Sequence, residues 1–212
     1  MVDATKPDIL VFYNGPFGGG LKMIEEKANV HHAPYDVPGN LSSLSLLQQF
    51  PSARAIWLLD LDIVWPQHSE LSRQVVEYVK NRGGIAIICG LFSTLEVPPR
   101  RLNRWLGRSL GMPWRIRHFE DTTVHLQDSH VRLQATTRTL LAASYNCKAM
   151  FLKNVSSSDS LYASPGSARS AEMQTAVAFG KCGQGWLGYI GDIVDNEERT
   201  AEALLAMMGL LE

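Results

Sequence analysis

The residues best suited to covalent chemistry are one cysteine and a histidine–glutamate pair. Cys89 closes the apolar run GGIAIICG, Gly83 to Gly90. A thiol there is a nucleophile when a helix N-terminus or a neighbouring imidazole holds it as thiolate. His118-Phe119-Glu120 lies in an alternating stretch from Trp114 to Leu126. Residues two apart share a strand face, so His118 would serve as base and Glu120 as the group that orients it. The same cysteine also reads as a small buried hydrophobe, the common condition of a free thiol. His31, His32, His68, His125 and His130 show no ligand spacing and HExxH is absent, so neither a metal nor another cofactor is expected.

Two further patterns suit binding. The run Gly15 to Gly20, GPFGGG, is neither G-x-G-x-x-G in register nor a Walker A sequence, which needs Lys-Ser/Thr after its last glycine. It reads as a turn that lets a small ligand or another chain approach the backbone closely. Pro98 to Arg117 carries Arg100, Arg101, Arg104, Arg108, Arg115 and Arg117 without an acid, with Trp105 and Trp114 among them. On a helix Arg100, Arg104 and Arg108 fall on one side, opposite Leu102, Leu106 and Leu110. Such a line of guanidinium groups suits carboxylates or phosphates, and the plain alternative is a solvated face paired with acids elsewhere. Helix capping accounts for Asp195 and Glu198, which leaves Asp192 as the acid of interest near the end of the chain.

The elements that must position these groups follow from composition and periodicity. With 212 residues, 45% apolar, 19% charged and net charge −1, the chain has the makeup of one domain over residues 1–212. No apolar run approaches the roughly 18 residues of a membrane span. The balanced charge gives no global field for nucleic acid or anionic lipid. Three widely spaced cysteines without a CxxC pair, and a start that enters a strand without a leader, predict an intracellular protein of cytoplasm or nucleus. DILVFYN (Asp8 to Asn14), ARAIWLLD (Ala53 to Asp60) and GGIAIICG read as strands covered on both faces. Ser69 to Asn81, with Leu71, Val75, Val76 and Val79, reads as an amphipathic helix. Shorter helices are predicted over Leu21 to Lys27, Asn40 to Phe50 and Arg100 to Leu110, and Asn29 to Val37 is an extended candidate. Thr136 to Val155 fits no one element, and Ser156 to Ser170 has the small, polar composition of an exposed loop. Gln174 to Phe179 and Trp186 to Ile190 form a hairpin around a glycine turn, before a last helix carrying Ala201, Leu204, Leu205 and Met208.

Two segments together carry a family likeness: YVKNRGG (Tyr78 to Gly84), closing a helix ahead of an apolar strand, and GQGWLGYIGD (Gly183 to Asp192), leading to the last helix. They resemble the class I glutamine amidotransferase-like superfamily, especially its trehalose-utilisation-protein-like and gliding or intraflagellar-transport-type branches, over most of the chain. The resemblance implies an α/β, flavodoxin-like, mostly parallel sheet with helices on both faces, a late β-hairpin and a C-terminal helix. It also implies a ligand site at the carboxyl ends of the strands, around Asn14, Gly15, Gly18, Asp60, Gly90 and Asp192. The family's nucleophilic cysteine stands one residue after Cys89, where this chain has Gly90, and a one-residue slip turns a strand side chain to the other face. The tract after it, GLFSTLEVPP, lacks the small residues of the family's elbow helix, and the family's His-x-Glu pair comes late instead of at His118. The sequence thus predicts a non-catalytic binding or protein-interaction module without a cofactor. Its partner surface is Arg100, Arg104, Trp105 and Arg108, and its partner an acidic protein segment or a small anionic ligand. A hydrolase or amidotransferase built on Cys89, His118 and Glu120, and a small-molecule sensor, are the alternatives. Nucleic acid and membrane are not expected partners.

Overall fold

Uninterrupted apolar runs become the central strands. β1 (Asp8–Tyr13), β3 (Ala55–Leu58) and β4 (Ile85–Cys89) are buried on both faces along nearly their whole length. The computed structural model describes residues 4–14, 21–35, 42–89, 97–129, 133–165, 173–192 and 197–211. β1 pairs in parallel with β2 (Asn29–Pro34) and β3, β3 with β4, and β4 with β9 (Gly185–Ile190). The connections include α1 (Leu21–Lys27), α2 (Ser42–Gln49) and α3 (Ser69–Lys80). Leu71, Val75 and Val79 of α3 recur every four residues and lie buried against Leu10, Ile56 and Ile88 of the sheet.

The other part of the sheet runs differently. β5 (Arg115–Leu126), β6 (Ser144–Lys153), β7 (Ser160–Ser164) and β8 (Gln174–Cys182) are joined only by antiparallel pairings. β8 also pairs antiparallel with β9 and fuses the two parts into one nine-stranded order, β2-β1-β3-β4-β9-β8-β6-β5-β7. Because β7 pairs back to β8, strands β8, β6, β5 and β7 close on themselves as a small antiparallel barrel.

The expected flavodoxin-like, mostly parallel α/β sheet is therefore corrected. Among the described residues four strand pairings are parallel and five antiparallel, and the longest strands, β5, β6 and β8, all belong to the antiparallel barrel. The physical reason lies between residues 136 and 170. Thr136 to Val155 supplies a short helix, α5 (Ala135–Thr139), and β6; the serine-rich stretch read as an exposed loop contains the fully buried β7. Residues 166–170 of that stretch lie outside the described residues.

The two faces of the sheet carry separate cores. One gathers Leu47 of α2, the α3 stripe, and Leu102 and Leu106 from α4 (Pro99–Arg104) and the π-helical turn Trp105–Ser109 that continues it. The other gathers Ile24 of α1 and Leu204, Leu205 and Met208 of α6 (Glu197–Met208). Both amidotransferase-like segments serve the join between α3 and the β8–β9 hairpin. Gly83 and Gly183 have φ of 80° and 60°, the left-handed region that favours glycine. The Gln184 N–H donates to the Lys80 carbonyl (2.8 Å) and the Trp186 N–H to the Gly84 carbonyl (3.0 Å). A Cβ on Gly185 would stand 2.1 Å from the Gly84 carbonyl oxygen and 2.4 Å from that of Val79.

Candidate functional site

Asn14, Asp60, Cys89 and Asp192 follow or end β1, β3, β4 and β9, so parallel pairing brings them to one edge of the sheet. Two of the expected ligand residues touch there. The Asn14 backbone N–H donates to Asp60 Oδ2 (2.5 Å), the Asp62 N–H donates to Asp60 Oδ1 (3.0 Å), and the Asn14 side-chain amide donates to Asp62 Oδ2. The Tyr35 hydroxyl, from the end of β2, donates to the Asp60 carbonyl (3.0 Å). Asp60 is 8% exposed. Burial pushes its carboxyl up to about 6, the Asp62 charge adds to that, and the two N–H donors oppose it. Burial first, then the two carboxylates, also raises the Tyr35 hydroxyl well above its ordinary range. Sequence reasoning missed Tyr35; its only signal is its place just past β2 at the carboxyl edge. Gly15, Gly18 and Gly90 lie outside the described residues.

Cys89 faces inward with Trp57 and Ile87 on the α1–α6 side and is 1% exposed. Burial pushes its thiol up to about 12; the Asp192 carboxylate adds to the rise and the Trp57 indole partly offsets it. Asp192 is itself 2% exposed and bridges Ala149 of β6. His118 and Glu120 do share a face. The imidazole Nε2 and the carboxylate lie 2.9 Å apart, and the ring stacks on Phe151. No hydrogen bond links either of them to Cys89 among the described residues. Burial also raises the thiols of Cys147 and Cys182, and the Cys182 S–H donates to the Leu110 carbonyl. Among the described residues no three His, Cys, Asp or Glu side chains gather as a metal site would require.

The arginine segment is anchored from below. Leu102, Leu106 and Leu110 are buried, and Arg100, Arg104 and Arg108 are exposed with no hydrogen bond or ion pair to another described residue. The π-helical turn leaves Arg108 on the outer side with Arg104. Arg101 instead lies over the Trp65 ring, 4.3 Å from its centroid. Arg115 turns inward, its Nη1 donating to the carbonyls of Trp114 (2.7 Å) and Met112 (3.1 Å). Trp105, expected on the partner surface, is corrected: it is 6% exposed and its indole N–H donates to Ser72 Oγ on α3 (2.7 Å). It is the bolt that fixes this segment to the core. Beside α4 lies a small indentation, with room for about one water, lined by Leu61, Val97, Pro99, Leu102, Ile116 and Met150, all buried except Pro99. No motif announces it, because its walls come from four separate stretches of chain.

No family model matches the chain, and no curated protein does. Solved structures do. Cytoplasmic Protein STM1381 from Salmonella typhimurium LT2 is similar with a TM-score of 0.62 at 9% identity, over 97% of this chain and 99% of that one. A putative GMP synthase protein from Thermoplasma acidophilum is similar with a TM-score of 0.56 at 12% identity, over 97% and 94%. A β-galactosidase from Bacillus circulans sp. alkalophilus is similar with a TM-score of 0.55 at 12% identity, and this chain, matched over 95% of its length, spans 30% of it. At such identities the likeness is one of fold. No helix among the described residues is long and apolar enough to cross a membrane.

Proposed function

We propose that the chain is a non-catalytic binding module related to the class I glutamine amidotransferases, which takes an acidic protein segment on the outer side of α4 and the turn after it. The observation that carries this reading is the row Arg100, Arg104 and Arg108, three exposed guanidinium groups with no described partner on a segment whose other side is locked into the core. A rigid base lowers the entropy lost when such side chains engage carboxylates, and arginine's planar fork suits them in pairs. The absence of catalysis draws support from Cys89, whose buried sulfur favours the protonated thiol at neutral pH. The test is binding of a labelled poly-glutamate-type peptide to the wild-type chain and to Arg104→Glu/Arg108→Glu, across a salt series. Binding that weakens about tenfold or more in the variant and with rising salt supports the reading. Equal affinity in both proteins overturns it.

A further inference from the structure

Three guanidinium groups of the arginine segment gather round one residue that has no side chain. Gly107 lies in the π-helical turn, and Arg115 folds back over it: a Cβ on Gly107 would stand 2.9 Å from Arg115 Nη2 and 3.3 Å from its Cζ. Arg115 is half-buried and fixed, because its Nη1 is committed to the carbonyls of Met112 and Trp114, while its Nη2 bonds to no described residue. Arg104 and Arg108 flank Gly107 along the chain, so both side chains start within about 6 Å of it. In an α-helix residues four apart drift sideways by about 40°. The wider turn, closed by the Leu110 N–H on the Trp105 carbonyl (3.1 Å), takes up much of that drift and keeps Arg108 in line with Arg104.

No acid neutralises this group from nearby. Pro98 to Arg117 contains none. The acids of α3, the helix to which Trp105 ties the segment, are engaged elsewhere, Glu70 with Arg73 (2.6 Å) and Glu77 with Asn81. Lys80 Nζ, donating to the Ser109 carbonyl (3.3 Å), adds a further positive charge at the end of the turn. One carboxylate, with a single charge and two oxygens, leaves most of this field unanswered. A phosphate monoester brings about −1.5 to −2 charges and three acceptor oxygens, one for each guanidinium.

Resting on the reading above, we infer that the acidic protein segment carries a phosphorylated serine or threonine, whose phosphate sits beside Gly107 on the free edge of Arg115, with Arg104 and Arg108 closing on it. Arg115 presents a planar fork that is already held in place, so less side-chain entropy is lost on binding. Arg100, further back on α4, is left for a carboxylate beside the phosphorylated residue.

The test uses three fluorescent peptides of one acidic sequence, titrated by anisotropy against the full chain. One has a central serine, one has phosphoserine there, and one keeps the serine but gains two glutamates that match the phosphopeptide's charge. The phosphopeptide is expected to bind about tenfold or more tightly than the charge-matched peptide, the gain from charge-assisted hydrogen bonds in the right geometry. That preference is expected to fall to about threefold or less in Gly107→Ala, whose methyl group displaces the Arg115 guanidinium, and in Arg115→Lys, which keeps the charge and loses the fork. Equal, salt-dependent binding of the phosphopeptide and its charge-matched form overturns the phosphate site and leaves the arginine reading standing. A preference that survives in both variants overturns its placement at Gly107, and inorganic phosphate that competes as well as the phosphopeptide overturns a protein segment as its source. Failure of all three peptides to bind, or tighter binding of a single-stranded oligonucleotide, overturns the two readings together.

Discussion

Asp60 offers the sharpest quantitative test, because its carboxylate is buried yet held by two backbone donors. Its folded value of about 6 stands above the ordinary 3.8. Between those values the folded chain keeps a proton that the unfolded chain releases, so the folded state binds more protons and stability falls as pH rises. The full effect is about 3 kcal/mol, developed between roughly pH 4 and pH 6.5 and level above that. Asp60→Asn removes the titration. It also leaves one of the N–H groups of Asn14 and Asp62 without its acceptor, at about 1–3 kcal/mol independent of pH. The measurement is urea unfolding followed by tryptophan fluorescence at about pH 4.5, 5.5, 6.5 and 7.5 for both proteins. The stability of the wild type relative to the variant should decline by about 2 kcal/mol from the lowest pH to the highest. A difference that stays constant with pH would show that the carboxyl ionises as freely as one in water, and the account of its burial would fail.

Three other outcomes follow from the packing. The three thiols should react slowly with iodoacetamide in the folded chain at about pH 7.5 and promptly in urea; rapid native labelling of Cys89 by mass spectrometry would contradict its place in the core. Gly185→Ala should cost more than about 2 kcal/mol in urea unfolding, because its methyl group would meet two backbone oxygens that cannot step aside. Arg100→Ala/Arg104→Ala/Arg108→Ala should shift thermal stability by less than about 0.5 kcal/mol per site, since these guanidinium groups bond to no described residue; a large loss would mean that they brace the fold.

Elements whose pattern is local were legible in the sequence. The stripe Leu71, Val75 and Val79 marks α3 to within a residue of its end, and the glycine turn marks the β8–β9 hairpin. Sheet type was not legible, since the deciding strands hide their character. β7 reads SLYAS, polar enough for a loop, yet Ser160 Oγ meets Thr175 Oγ1 at 3.0 Å inside the structure, so its polarity is satisfied where it is buried. β6 alternates only in its first half and is apolar in its second, which blurs strand against helix. At the carboxyl edge the contact of Asn14 with Asp60 follows from strands known to be parallel neighbours, but Tyr35 carries no pattern of its own. Trp105 was misplaced for a related reason: tryptophan among arginines suits a binding face and a buried anchor equally, and only Ser72 across on α3 decides between them.

The return of β7 to β8 also governs what this sheet can do in company. β7 and β8 cover each other, while the margin of β5 opposite β6 is strand-paired only at His125 and Leu126, and the far end of the order is β2, six residues long and ending in Pro34. Pro34 has no N–H to offer a neighbouring chain, one of the devices by which a sheet edge discourages a further strand from adding to it.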